Sequence, residues 1–144
     1  MNLSSVIGRP VVDLSSATTI GRVDDAVVDT TAHRIVGFVL GKVAGPATFL
    51  PWESMTALGA DAVTIADLHV LGTPPGEPGG SLTSKALGAR VLTDAGRELA
   101  ALVDLDIDPT DGAVTSLTLS DRTLPAESLL GIGSYATVVS DPAD

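Results

Sequence analysis

Val28-Asp29-Thr30-Thr31-Ala32-His33-Arg34-Ile35-Val36-Gly37-Phe38-Val39-Leu40 and Ile107-Asp108-Pro109-Thr110-Asp111-Gly112-Ala113-Val114-Thr115-Ser116-Leu117-Thr118-Leu119 are one pattern written twice, and they align without a gap. In the second stretch, Asp108-Pro109-Thr110-Asp111-Gly112 has the chemistry of a hairpin turn: Pro fixes φ and Gly permits a positive φ. His33 and its neighbours occupy the same turn in the first. From Ile35 to Leu40 the branched residues stand close together, as in a strand buried on both faces or sharply bent. After the second turn, Val114, Leu117 and Leu119 carry the apolar side. A hairpin that recurs predicts a repeated all-β module.

Further landmarks follow in the same order. Leu3-Ser4-Ser5-Val6-Ile7-Gly8-Arg9 returns, with slippage, as Leu82-Thr83-Ser84-Lys85-Ala86-Leu87-Gly88-Ala89-Arg90. Gly21-Arg22 is matched with Gly96-Arg97, and Leu50-Pro51-Trp52-Glu53-Ser54 with Leu124-Pro125-Ala126-Glu127-Ser128. Residues 1–71 thus read as repeat 1, residues 82–144 as repeat 2, and the Pro/Gly-rich residues 72–81 as a linker. Each repeat is expected to form about five short strands. The segment from Asp94 to Leu102 would pass for a helix on propensity. Its partner in the first repeat is strand-like, and the repeat decides for a strand. Val103-Asp104-Leu105-Asp106-Ile107-Asp108 alternates apolar and acidic residues, which predicts a strand with one wet face. The two Pro-x-Glu-Ser segments are expected to open a single helical turn.

Composition narrows the classes. The chain of 144 residues is 44% hydrophobic but only 3% aromatic. Its core is therefore built from Val, Leu, Ile and Ala, whose β-branched members suit a pleated surface. The net charge of −10, with 18 acidic residues against 8 basic ones, opposes binding to a phosphate backbone or an anionic membrane. There is no cysteine, so disulfides, thiolate nucleophiles and cysteine-based zinc sites are excluded. The start, Met1-Asn2-Leu3-Ser4-Ser5, has neither the basic nor the apolar region of a signal peptide, and no stretch is long and apolar enough for a membrane helix. These features predict a soluble cytoplasmic protein.

A Gly-x-x-Val start, a turn before Gly-Arg, an Asp-rich hairpin and the closing Leu-Pro-x-Glu-Ser element resemble the PRC-barrel family, twice, over residues 3–67 and 82–140. The resemblance implies two small, strongly bent β-barrels in tandem. It also implies docking or assembly work without shared catalytic residues, as in ribosome maturation factors, the reaction-centre H subunit and archaeal division proteins.

The residues that could carry chemistry are few. Asp104, Asp106, Asp108 and Asp111 are a candidate divalent-cation cluster, although the sixth and twelfth positions of a calcium loop, Gly and Glu, are here Pro109 and Thr115. The plainer reading is a solvated strand face leading into a turn. Gly131-Ile132-Gly133-Ser134-Tyr135-Ala136 matches a dinucleotide fingerprint in letters only, since no helix can follow it. His33 and His69 read as exposed polar residues, with no nucleophile elbow beside them. Trp52, replaced by Ala126 in the second repeat, is either a lid on its own barrel or an anchor for a protein partner. Phe38 and Phe49 belong to the core.

No catalytic residue and no cofactor is expected. The leading expectation is a non-catalytic protein-interaction or assembly scaffold of the bacterial cytoplasm, binding a protein partner and neither nucleic acid nor membrane. Its two repeats are expected to pack on each other as a pseudo-twofold pair, with homo-oligomerisation open. The alternatives are a small-ligand or divalent-cation-binding regulatory module and a ribosome-assembly-type factor binding a basic protein.

Overall fold

Fourteen short strands, one helical turn at the start and three-residue 3-10 turns make up the described structure. The computed structural model describes residues 1–43, 45, 47–73, 81–82, 87–133 and 135–141, with backbone only for 81 and 82. After α1 (Leu3–Val6) come β1 (Pro10–Asp13), β2 (Thr18–Asp29), β3 (Arg34–Gly41), β4 (Phe49–Pro51), β5 (Met55–Leu58) and β6 (Val63–Ile65). They form one curled sheet in the order β4-β3-β2-β1-β6-β5, antiparallel except for the parallel β1–β6 pair. β7 (Ser81–Leu82) adds to β2. The second half contains β8 (Val91–Thr93), β9 (Glu98–Leu99), β10 (Leu102–Ile107), β11 (Val114–Leu119), β12 (Thr123–Pro125), β13 (Leu129–Ile132) and β14 (Thr137–Val139). Its orders, β10-β11-β12 and β13-β14-β8-β9, retrace the first sheet with β2 split at Ala100 and Ala101. The fold is all-β, with six strand positions per half.

The registers of the two halves coincide. Ala26 faces Phe38 and Val28 faces Ile35; Leu105 faces Leu117 and Ile107 faces Val114. The same two irregularities interrupt both ladders, between Val23 and Asp25 and between Leu102 and Asp104, then again just before Val28 and Ile107. The gapless match of Val28–Leu40 with Ile107–Leu119 is thus a match of ladder positions. Leu50, Pro51 and the 3-10 turn Trp52–Ser54 likewise correspond to Leu124, Pro125 and the turn Ala126–Ser128. Each proline is the cap that precedes its turn. The segment from Asp94 to Leu102 is a tight turn followed by strand, as the repeat implies.

Two sequence expectations are corrected. Gly96 does not correspond to Gly21. It sits at the β8–β9 turn with φ of 82°, the place that Ala17 fills in the first half with φ of 57°. Gly21 lies inside the β1–β2 ladder at the register position of Leu99. The shared Gly-Arg dipeptide is a coincidence of spelling, because one glycine answers a positive φ and the other a crowded ladder. Second, the run from Val103 to Asp108 does not present one wet face: Val103 is 53% exposed, whereas Asp104 is buried. The ladder irregularity at this point resets the alternation, as an extra residue on one strand does. Asp104 is covered by α1, and its Oδ1 accepts hydrogen bonds from the Ser4 and Leu105 N–H groups.

The halves are knitted by reciprocal strands. Asn2, at the head of the first half, bridges to Asp106 on β10, while Ser81 and Leu82, at the head of the second, pair with Val28 and Val27 on β2. At the centre the two hairpin turns meet: Arg34 bridges Ala113, the Ile35 N–H donates to the Gly112 carbonyl and the Val114 N–H to that of His33. One continuous cluster of buried residues runs from Leu3 and Val6 through Phe38 and Leu50 to Leu117 and Val139. The outer ends of the linker are tied into structure, Gly72 by a bridge to Phe49 and Ser81 within β7. Residues 74–80 lie outside the described residues, as do residues 83–86 in the second copy of the opening motif.

Candidate functional site

Trp52 sits at the joint between the halves. It begins the 3-10 turn after β4, is only 8% exposed, and tilts at 44° to Phe38 with ring centroids 5.9 Å apart. Its indole lies against the backbone of Gly112 in the opposite hairpin turn: a Cβ built there would fall 2.9 Å from Cδ2 and 3.0 Å from Cε2. The mirrored position exchanges the sizes. Where the second half has Gly112, at φ of 80°, the first has His33, at φ of 56°, and where the first half has Trp52, the second has Ala126. The His33 ring is half-buried rather than exposed, and its Nε2 is 2.9 Å from the carbonyl oxygen of Leu129, at the end of the turn that Ala126 opens. Across the joint the large residue of each pair lies in the first half, Trp52 against Ala126 and His33 against Gly112 in the matched positions. Trp52 anchors an interface within the chain, a contact that depends on residues some sixty positions apart.

The four aspartates proposed for a cation diverge. Asp104 accepts hydrogen bonds from the backbone N–H of Ser4 at 3.0 Å and from the Ser4 hydroxyl, holding α1 onto β10 of the other half. Asp106 pairs with the amino terminus of Met1 at 3.2 Å. Asp108 accepts from Thr110 N–H at 2.8 Å and Asp111 from Ala113 N–H at 3.0 Å, both inside the turn. Among the described residues no group of three or more His, Asp or Glu side chains is placed to hold a metal ion. The carboxylates do local structural work, and the first half repeats it: Asp29 accepts from the N–H groups of Thr31 and Ala32. Those donors, Ala32 first, hold the Asp29 carboxyl below its ordinary pKa. Asp13 is lowered as well, chiefly by the Ser15 hydroxyl at 2.6 Å, against the opposing pull of burial.

His69 is exposed and pairs with Asp67 at 3.1 Å. The glycine-rich segment at 131–136 ends β13 and turns into β14, closed by the Gly133 N–H on the Ala136 carbonyl; Ser134 lies outside the described residues. No helix of the described residues is long and apolar enough to cross a membrane.

One surface feature escaped the sequence reading. The β13–β14 hairpin displays Leu130, 50% exposed, and Tyr135, 68% exposed, with the Arg90 guanidinium 4.8 Å from the tyrosine ring centroid. Among the described residues β13 pairs only with β14 and forms the outer edge of its sheet. By register the first half has Thr56, Asp61 and Pro10 at these three places. The signal was present as a difference between aligned repeats, but it needed the true register of the β5 and β13 hairpins to be seen.

Residues 1–71 match the model of the PRC-barrel domain, which makes the first half of the chain a member of the PRC-barrel family. No curated protein matches the chain.

Proposed function

We propose that this is a tandem PRC-barrel protein, its second half a diverged copy of the first, acting as a non-catalytic assembly module that docks a protein partner on the β13–β14 hairpin. The observation that carries this reading is the exposed group of Arg90, Leu130 and Tyr135 beside an edge strand with one unpaired side. Tyr and Arg are enriched where proteins bind proteins, and an open strand edge offers backbone hydrogen bonds to an extended segment. The first half lacks this group and shares the frame. This supports a division in which one copy supports and the other binds. The net charge of −10 disfavours a nucleic-acid partner. A bacterial cytoplasmic setting, as the family resemblance implies, is part of the same proposal.

The test is affinity capture from the native host with the full chain, comparing wild type with Leu130→Lys/Tyr135→Ser. Both residues are exposed, so the variant keeps its fold, which circular dichroism verifies. Proteins retained by wild type and lost by the variant support the reading. An identical set of captured proteins refutes the assignment to this hairpin.

A further inference from the structure

The first half carries a groove beside its first three strands. It lies at the open end of the β1–β2–β3 region, with a volume of about 590 Å³, between Pro10, Ile20, Arg22, Lys42, Val43 and Leu68. That volume is within the range of ordinary small-ligand sites. The walls are aliphatic: Ile20 and Val43 are partly packed on the core, and Leu68 is left 47% exposed. Two cations stand at the rim. Arg22 shares a loose ion pair with Asp24 at 3.3 Å, and among the described residues Lys42 has no carboxylate partner. In a chain with eight basic residues and a net charge of −10, this is a local reversal of sign.

Three changes separate this site from its counterpart. At the floor, Gly21 holds the register position that Leu99 holds in the second half, so in the first half the Gly41 carbonyl and the Val43 side chain close over bare backbone where the second carries a side chain. The β3–β4 connection is longer in the first half: the Leu40 N–H reaches Thr48, whereas the Leu119 N–H reaches Arg122 directly. The extra residues carry Val43 out to form a wall. Finally, counting on two residues from the matched Leu40 and Leu119, the first half has Lys42 and the second has Asp121, which reverses the charge. Lys42 itself adopts φ of 62°, an unfavourable conformation for a side-chain-bearing residue.

We infer that this groove binds a small amphiphilic carboxylate, its acyl chain between Ile20, Val43 and Leu68 and its carboxylate between Arg22 and Lys42. This site is separate from the hairpin of the second half, and neither depends on the other.

Decanoate is the probe, added below its micelle concentration to the full ¹⁵N-labelled chain, with decyltrimethylammonium as the control of equal tail and opposite charge. Saturable amide shifts at Gly8, Gly21, Lys42 and Val43 with decanoate, and none with the ammonium, support the site. Arg22→Gln/Lys42→Gln then weakens decanoate binding about tenfold, the size expected for two solvent-accessible charge contacts. Leu68→Ser weakens it independently of charge. All three side chains are on the surface, and the spectra report retained fold directly. Equal shifts from both amphiphiles, an unchanged affinity in the double variant, or no saturable shift at all overturns the inference.

Discussion

Replacing Gly112 by alanine tests whether the joint between the halves is held by the fit of Trp52 to a bare backbone. Two costs are combined. At φ of 80° an L residue loses about 1–2 kcal/mol relative to a right-handed conformation. The added methyl would also meet the Trp52 ring at 2.9–3.2 Å, so the ring or the turn must move. Overpacking of this kind costs about 1–3 kcal/mol. Gly96→Ala separates the terms, because Gly96 has nearly the same φ, 82°, and nothing within 4 Å of a built Cβ. Gly96→Ala is therefore expected to cost about 1–2 kcal/mol and Gly112→Ala about 2–5. Urea unfolding provides the assay, followed by the emission of the sole tryptophan and by circular dichroism. The decisive arm is a double-mutant cycle with Trp52→Leu, which takes the ring away. In that background the cost of Gly112→Ala is expected to fall to that of Gly96→Ala. Equal costs for the two glycines in the native background, or a coupling near zero in the cycle, would refute a joint built on ring-to-backbone complementarity.

Two further outcomes follow from the carboxylates. Asp104→Ala leaves the Ser4 and Leu105 N–H groups without their acceptor, with an expected loss of about 1–3 kcal/mol. Faster hydrogen exchange at Ser4 than in wild type is the accompanying readout; unchanged exchange there would show that Asp104 does not hold α1 in place. Asp13 and Asp29 have folded pKa values below their unfolded ones, so their contribution is complete above the unfolded value, about pH 4, and is lost as pH falls through the folded value. The stability gap between wild type and Asp13→Asn is accordingly expected to be constant from pH 5 to 7, both about one unit or more above that point, and to close in more acidic solution. A gap that persists unchanged into strong acid would contradict the role given to the charge.

The sequence alone determined the hairpins, because their signals are local. Asp108-Pro109 and Gly112 specify a turn wherever they stand, and the branched runs on either side specify strands. For the same reason the gapless match of Val28–Leu40 with Ile107–Leu119 survived as a match of registers, and the prolines before Trp52 and Ala126 each opened a short turn. What alternation could not show was the irregularity before Asp104. A single residue inserted into a ladder exchanges the inward and outward sides, so Val103 faces water and the carboxylate faces α1. The apparent acidic cluster dissolved as well, since Asp104 and Asp106 engage Ser4 and Met1 while Asp108 and Asp111 close their own turn. Tertiary structure alone also decided the partners of Trp52 and His33. Their environments come from hairpins and turns of the opposite half, and no local pattern encodes which residues meet across such a joint. The recurring hairpin and the Pro-x-Glu-Ser turn were legible in the sequence; how the two halves fit, and where each departs from the other to offer a hairpin or a groove, came only from the packed chain.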